Sequence, residues 1–136
     1  MNQLARLARL VLVSVATLAT PATARAHPSL VSSTPANGAT IGASPRELLL
    51  VFSKAVQADL SSVTLAGPHG AAPALAKPSQ PAGSSKVLVA RVPVTLEPGK
   101  YTVNWRAAGS DGHAVKGSFS FTVAGARAAP SGGSAR

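Results

Sequence analysis

Hydrophobic positions are distributed along this chain in two quite different ways. Near the start, Leu10 to Thr20 is an uncharged apolar run behind a basic opening at Arg6 and Arg9, and no second run of that length follows. Beyond residue 27 the apolar residues come in short stretches divided by turn residues. Leu30 to Ser33 predicts a short first strand, and the continuous run Leu48 to Phe52 is of a length that suits a buried strand. Ser61 to Ala66 alternates apolar Val63 and Leu65 with polar neighbours. Val87 to Val94 reads as a strand whose Pro93 marks an edge or an end. Lys100 to Arg106 and Lys116 to Val123 alternate with period two, and the second places Phe119, Phe121 and Val123 on one face.

The intervening segments are loops. Pro35-Ala36-Asn37-Gly38 and Gly67-Pro68-His69-Gly70 are turn sequences. Ala71 to Ser85, rich in Ala, Pro, Ser and Gly, predicts a loop with at most one irregular edge strand. Ala107 to Ala114 predicts a loop carrying Asp111 and His113. With no amphipathic helix after the opening run, the pattern predicts a single all-β domain of seven or more strands. A Greek-key sandwich or barrel, cupredoxin-like or immunoglobulin-like, fits it. The segment Leu96 to Tyr101 resembles the tyrosine corner of such sandwiches, which makes Tyr101 a structural brace rather than a catalytic phenol.

Ala24-Arg25-Ala26 closes the apolar opening with the small-x-small pattern that signal peptidase cuts, and the run is too short to span a bilayer. The expected organisation is therefore a cleaved signal peptide over 1–26, one binding domain over 27–123, and a disordered tail over 124–136. The mature product is expected to be exported, periplasmic and monomeric. Three of the 13 basic residues (Arg6, Arg9 and Arg25) belong to the leader, leaving ten against four acidic ones. These charges are scattered singly, without aromatic interleaving, which argues against nucleic-acid binding. Weak attraction to anionic surfaces is compatible with them.

Sulfur chemistry is excluded from the mature domain, because the chain has no cysteine and its one methionine is Met1. Cleavage after Ala26 would give His27 a free α-amine beside its imidazole. Pro28 has no amide N–H, so an ion held there cannot bind through a deprotonated second amide and needs ligands from elsewhere. Asp111 and His113, two residues apart, would point to one side if their segment were extended, with Gly112 leaving room between them. The plain alternatives are a solvated terminal histidine and an ordinary Ser-Asp-Gly reversal. Taken together, amine, two imidazoles and a carboxylate form a nitrogen- and oxygen-rich set that suits copper(II) before other divalent ions. Free amines titrate near about 8 and imidazoles near about 6.5, so affinity should fall below neutral pH. His69 lies in a turn, where solvation is the default. Trp105 is expected in the core, and Arg106 either supports a ligating carboxylate or is a surface residue.

The run His27 to Gly38 resembles the opening of the CopC family of periplasmic copper-resistance proteins. So do Leu50-Val51-Phe52-Ser53, Gly99 to Arg106, and Ser110-Asp111-Gly112-His113 with Gly117-Ser118-Phe119. The resemblance implies a Greek-key β-domain binding one copper(II) ion per chain through His27, Asp111 and His113. It also implies a carrier or buffer role, with a membrane permease of the CopD type as partner, and no enzymatic activity. Some relatives carry an acidic residue where Lys54 stands here, and others a methionine-rich copper(I) site in mid-chain. Gly67 to Ser85 contains no methionine, so no copper(I) site is expected. Two other readings remain open at the level of sequence. One is an oxygen-activating enzyme built on a histidine brace, against which Asp111 and the scarcity of aromatics both count. The other is a metal-free interaction module.

Overall fold

The computed structural model of the chain describes residues 27–125. The expected leader and the tail beyond Gly125 lie outside the described residues. Seven strands run in the order β1 (Leu30–Thr34), β2 (Thr40–Ile41), β3 (Glu47–Phe52), β4 (Val56–Ala66), β5 (Val87–Arg91), β6 (Gly99–Gly109) and β7 (Ala114–Val123). A single turn of 3-10 helix, Pro68–Gly70, separates β4 from β5. The strands form a three-stranded sheet ordered β1-β3-β5 and a four-stranded sheet ordered β2-β7-β6-β4. This is the all-β Greek-key sandwich expected from the alternation, with no α-helix among the described residues.

The core lies between the sheets and follows the period-two pattern. Leu48, Leu50 and Phe52 of the central strand β3 are almost wholly buried, as are Tyr101, Val103 and Ala107 of β6 and Phe121 of β7. Each large apolar side chain removed from water in this way contributes roughly 1.5–3 kcal/mol. Aromatic pairs tie the layers together. Phe52 meets Trp105 edge to face with ring centroids 5.2 Å apart, and Tyr101 stacks on Phe121 at 5.7 Å. The Tyr101 hydroxyl donates to the Glu97 carbonyl at 2.8 Å, completing the expected tyrosine corner. Burial, reinforced by the nearby Glu97 charge, raises the phenol above its ordinary value, so it stays a neutral donor.

Several boundaries differ from the sequence reading, each for a local reason. Strand β4 begins at Val56 rather than Ser61, because a register shift between Gln57 and Ser62 breaks the alternation there. Buried Ser61 stitches this bulge: its hydroxyl donates to the Gln57 carbonyl at 2.6 Å and accepts the Ala108 N–H at 3.1 Å. Strand β6 continues to Gly109, since the small residues Ala107 and Ala108 are buried and still paired with β7. The expected loop 107–114 therefore contracts to the four residues between β6 and β7. β2, only two residues long, carries no periodic signal and pairs in parallel with Thr122 and Val123. Strand β5 ends before Pro93 at the sheet edge, and the long segment after residue 70 forms no strand of its own, meeting β5 through an isolated Ser79–Val89 bridge and a bond from the Ala76 N–H to the Arg91 carbonyl, both as expected.

Candidate metal centre

The β6–β7 ladder is paired as far as Ala108 and Ala114, so Asp111 and His113 project from the end of the sandwich on a tight turn. The Gly109 N–H donates to the His113 carbonyl at 2.9 Å, and the Gly112 N–H to the Gly109 carbonyl at 3.0 Å. Gly112 adopts φ +81°, a left-handed conformation that glycine takes without steric cost. Asp111 closes the turn with its own side chain. Oδ1 accepts the His113 N–H at 3.1 Å, and Oδ2 lies 2.9 Å from His113 Nδ1. Of the two local forms open to the sequence, an extended segment or a Ser-Asp-Gly reversal, the chain adopts the turn, and the carboxylate helps to build it. From β4, the Gln57 side-chain amide donates to the Gly109 carbonyl at 2.7 Å and holds the base of the turn.

His27 reaches the same end from the other sheet. Pro28 is buried, and Ser29 is held to Ser53 three times. The Ser29 N–H donates to Ser53 Oγ at 3.0 Å, the two hydroxyls lie 3.0 Å apart, and the Ser53 N–H donates to the Ser29 carbonyl at 2.9 Å. Gly109 permits the approach: a Cβ there would stand 3.3 Å from Pro28 Cδ and 3.1 Å from Asp111 Oδ1. The His27 and His113 rings meet edge to face with centroids 5.8 Å apart. His27, Asp111 and His113 are all exposed, and each offers a ligand atom within 4.8 Å of the others. Two donors about 2 Å from one ion lie at most about 4 Å apart. Exposed side chains need close by less than about 1 Å to meet that limit.

The electrostatics favour a cation. Hydrogen bonds from the His113 side chain, and then from its N–H, lower the Asp111 carboxyl below its ordinary value, with the charges of His113 and His27 acting in the same direction. Asp111 is thus an anion throughout the range in which imidazole nitrogens become free to bind.

The other singled-out residues lie elsewhere. His69, exposed and at φ +57°, sits in the turn packed against the start of β6. Asp111 follows the far end of that eleven-residue strand, a separation of roughly 30 Å at about 3.3 Å per residue. Arg106 donates to the Leu60 carbonyl at 3.0 Å and braces the β4 bulge, so the structure gives it no carboxylate to support. Trp105 is a core residue, as expected, and also borders a groove that begins at His27. Lys54 is exposed in the bend directly after Ser53. Ser29, Ser53 and Gln57 were not legible in advance, because polar residues at strand ends are common and their partners lie 24 or more positions away.

Comparison with known proteins places this chain in a family. The CopC domain model matches residues 30–124. Copper resistance protein C of Pseudomonas syringae pv. tomato is 37% identical over 107 residues, covering 75% of this chain and 84% of that protein. Among solved structures, CopC from Methylosinus trichosporium OB3b superposes with a TM-score of 0.69 at 29% identity, covering 76% of this chain and 99% of its own. PcoC, a methionine-rich copper resistance protein from Escherichia coli, gives 0.63 at 33% identity, covering 72% and 99%. The Pseudomonas and Escherichia relatives are both named copper resistance proteins. From the order of its motifs, the topology of its sheets and a match that spans nearly every described residue, the chain belongs to the CopC family.

Proposed function

We propose that the mature protein binds one copper(II) ion at the end of the sandwich and acts in copper resistance as a periplasmic carrier or buffer. His27 supplies its ring and, after cleavage, its amine; Asp111 supplies a carboxylate oxygen and His113 a ring nitrogen. The observation that carries this reading is the convergence within 4.8 Å of three ligand-bearing side chains, His27 just ahead of β1 and Asp111 and His113 on the β6–β7 turn at least 84 positions further along the chain. The donor chemistry supports the oxidised ion, since a mature chain without sulfur offers copper(I) none of the soft ligands it prefers. Exposure of all three side chains suits an ion that must leave again. A membrane permease of the CopD type is the recipient we assign.

The test has two steps. Mass spectrometry of the exported protein identifies its first residue, and calorimetry with copper(II) then measures binding. We expect His27 at the terminus and one ion per chain. A single alanine placed before His27 converts the amine to an amide and should weaken binding by at least about tenfold, or about 1.4 kcal/mol. Equal affinity with and without that alanine would remove the amine from the site. An absence of one-to-one binding in the mature protein would overturn the reading as a whole.

A further inference from the structure

The side of the sandwich next to the candidate metal centre is not closed. β2 pairs with only Thr122 and Val123 of the ten-residue β7, and the segment before it contributes two bonds to Ser120 and one, at the Ala39 carbonyl, from the Thr122 N–H. Ser120, Thr122 and Ala124 all direct their N–H groups to this flank. By the period of two, Lys116 and Ser118 direct theirs the same way, and no described residue meets them. β1, the edge of the opposite sheet, faces them with Val31 64% exposed. Between the two free edges runs a groove of about 870 Å³ that starts at His27 and is lined by Leu30, Trp105, Val115 and Phe119 among others. The Trp105 indole N–H is buried there without a hydrogen-bond partner among the described residues, which buried donors seldom are.

We infer that this groove is a peptide-binding site, in which an extended segment of a partner protein adds to the open half of β7 as a new strand. Backbone groups of Lys116 and Ser118 would pair with the segment, while alternate apolar side chains would enter the groove over Trp105 and Phe119. Charge selects the occupant. Lys116 is the charged residue on the free edge, and none of the residues lining the groove is acidic. An edge lysine disfavours antiparallel pairing with a second copy of itself, the usual protection of an open strand. The same lysine favours a strand whose outward positions are acidic. The fitting partner is therefore a segment with alternating apolar and acidic residues. Its end would lie beside His27, so docking and access to the metal centre would be linked, although the inference holds without any metal.

The experiment uses the metal-free mature protein and an eight-residue capped peptide of alternating glutamate and valine. Its comparators are the lysine–valine analogue and a peptide of the same composition with its glutamates in one block. Nuclear magnetic resonance should show saturable shifts at Lys116, Ser118, Val31 and the Trp105 indole with the alternating acidic peptide. Lys116→Glu should weaken that binding at least about tenfold and transfer the preference to the lysine–valine peptide. Ser118→Pro removes an outward N–H without breaking a β6–β7 bond, so it should abolish binding while leaving the unfolding temperature within a few degrees. The inference is overturned if no shifts occur at millimolar peptide, if the block peptide binds equally, or if the shifts map to the exposed edge of β4. Self-association through β7 in place of peptide binding would overturn it too. None of these outcomes depends on copper, so they are separable from a failure of the metal reading.

Discussion

Asp111 and His113 hold each other in place before any ion arrives: one carboxylate oxygen takes the histidine's backbone N–H at 3.1 Å, and the other lies 2.9 Å from its ring nitrogen. One side chain thus shapes the turn, aims the imidazole and supplies negative charge. An ion bound through Nε2 of His113 leaves the Nδ1 contact intact; one bound through Nδ1 replaces it. Either way the cost of ordering the hairpin has been met during folding rather than on binding.

Asp111→Asn keeps an acceptor for the His113 N–H but removes the charge. We expect copper(II) affinity to fall by about tenfold or more, with little change in fold, as read by calorimetry and amide spectra. The pH dependence separates the donors. Because His113 lowers the Asp111 pKa, the contribution of this pair to holding the turn is complete above the ordinary carboxylate range and is lost only as pH falls through the lower, native value. The decline in affinity just below neutral pH must then come from the nitrogens, and Asp111→Asn should retain it. Disappearance of that decline in the variant would assign it to the carboxylate.

Gln57→Ala removes the donor that grips the Gly109 carbonyl at 2.7 Å. A hydrogen bond of this kind contributes about 1 kcal/mol, and its loss frees the base of the turn rather than the ligands themselves. Calorimetry should show copper affinity reduced severalfold, and hydrogen exchange at Gly112 should accelerate. Unchanged exchange at Gly112 would mean that the ladder alone holds the turn.

Tyr101→Phe deletes the hydroxyl that donates to Glu97 at 2.8 Å. Thermal unfolding should shift down by about 4–8 °C, the equivalent of roughly 1 kcal/mol in a domain of this size. Copper affinity should stay the same, since this corner and the metal centre lie at opposite ends of β6.

Gly117→Ala tests the packing beneath the open flank. Gly117 pairs directly across from Trp105, and a Cβ there would stand 2.7 Å from Trp105 Cε2. The indole must move, at a cost of about 1–3 kcal/mol. Denaturant unfolding should report that loss, and Trp105, the only tryptophan, should report the displacement as a change in emission.

Much of this protein was legible in its sequence because the deciding forces are local and periodic. A continuous apolar run marks β3 as a buried strand and period-two alternation in β6 and β7 specifies which of their side chains enter the core, so the sandwich, the edge or end at Pro93 and the tyrosine corner could be read from residue types alone. The donors His27, Asp111 and His113 could be nominated for the same reason: their chemistry is carried by the side chains themselves. Whether they meet could not be read, since that depends on contacts between positions far apart in the chain. Ser53 anchors Ser29 across 24 positions, Gln57 reaches Gly109 across 52, and a bulge in β4 brings Ser61 to Ala108 across 47. The two-residue β2 and the half of β7 that it leaves open are likewise products of the assembled sheets, because strand edges exist only once neighbours have been chosen.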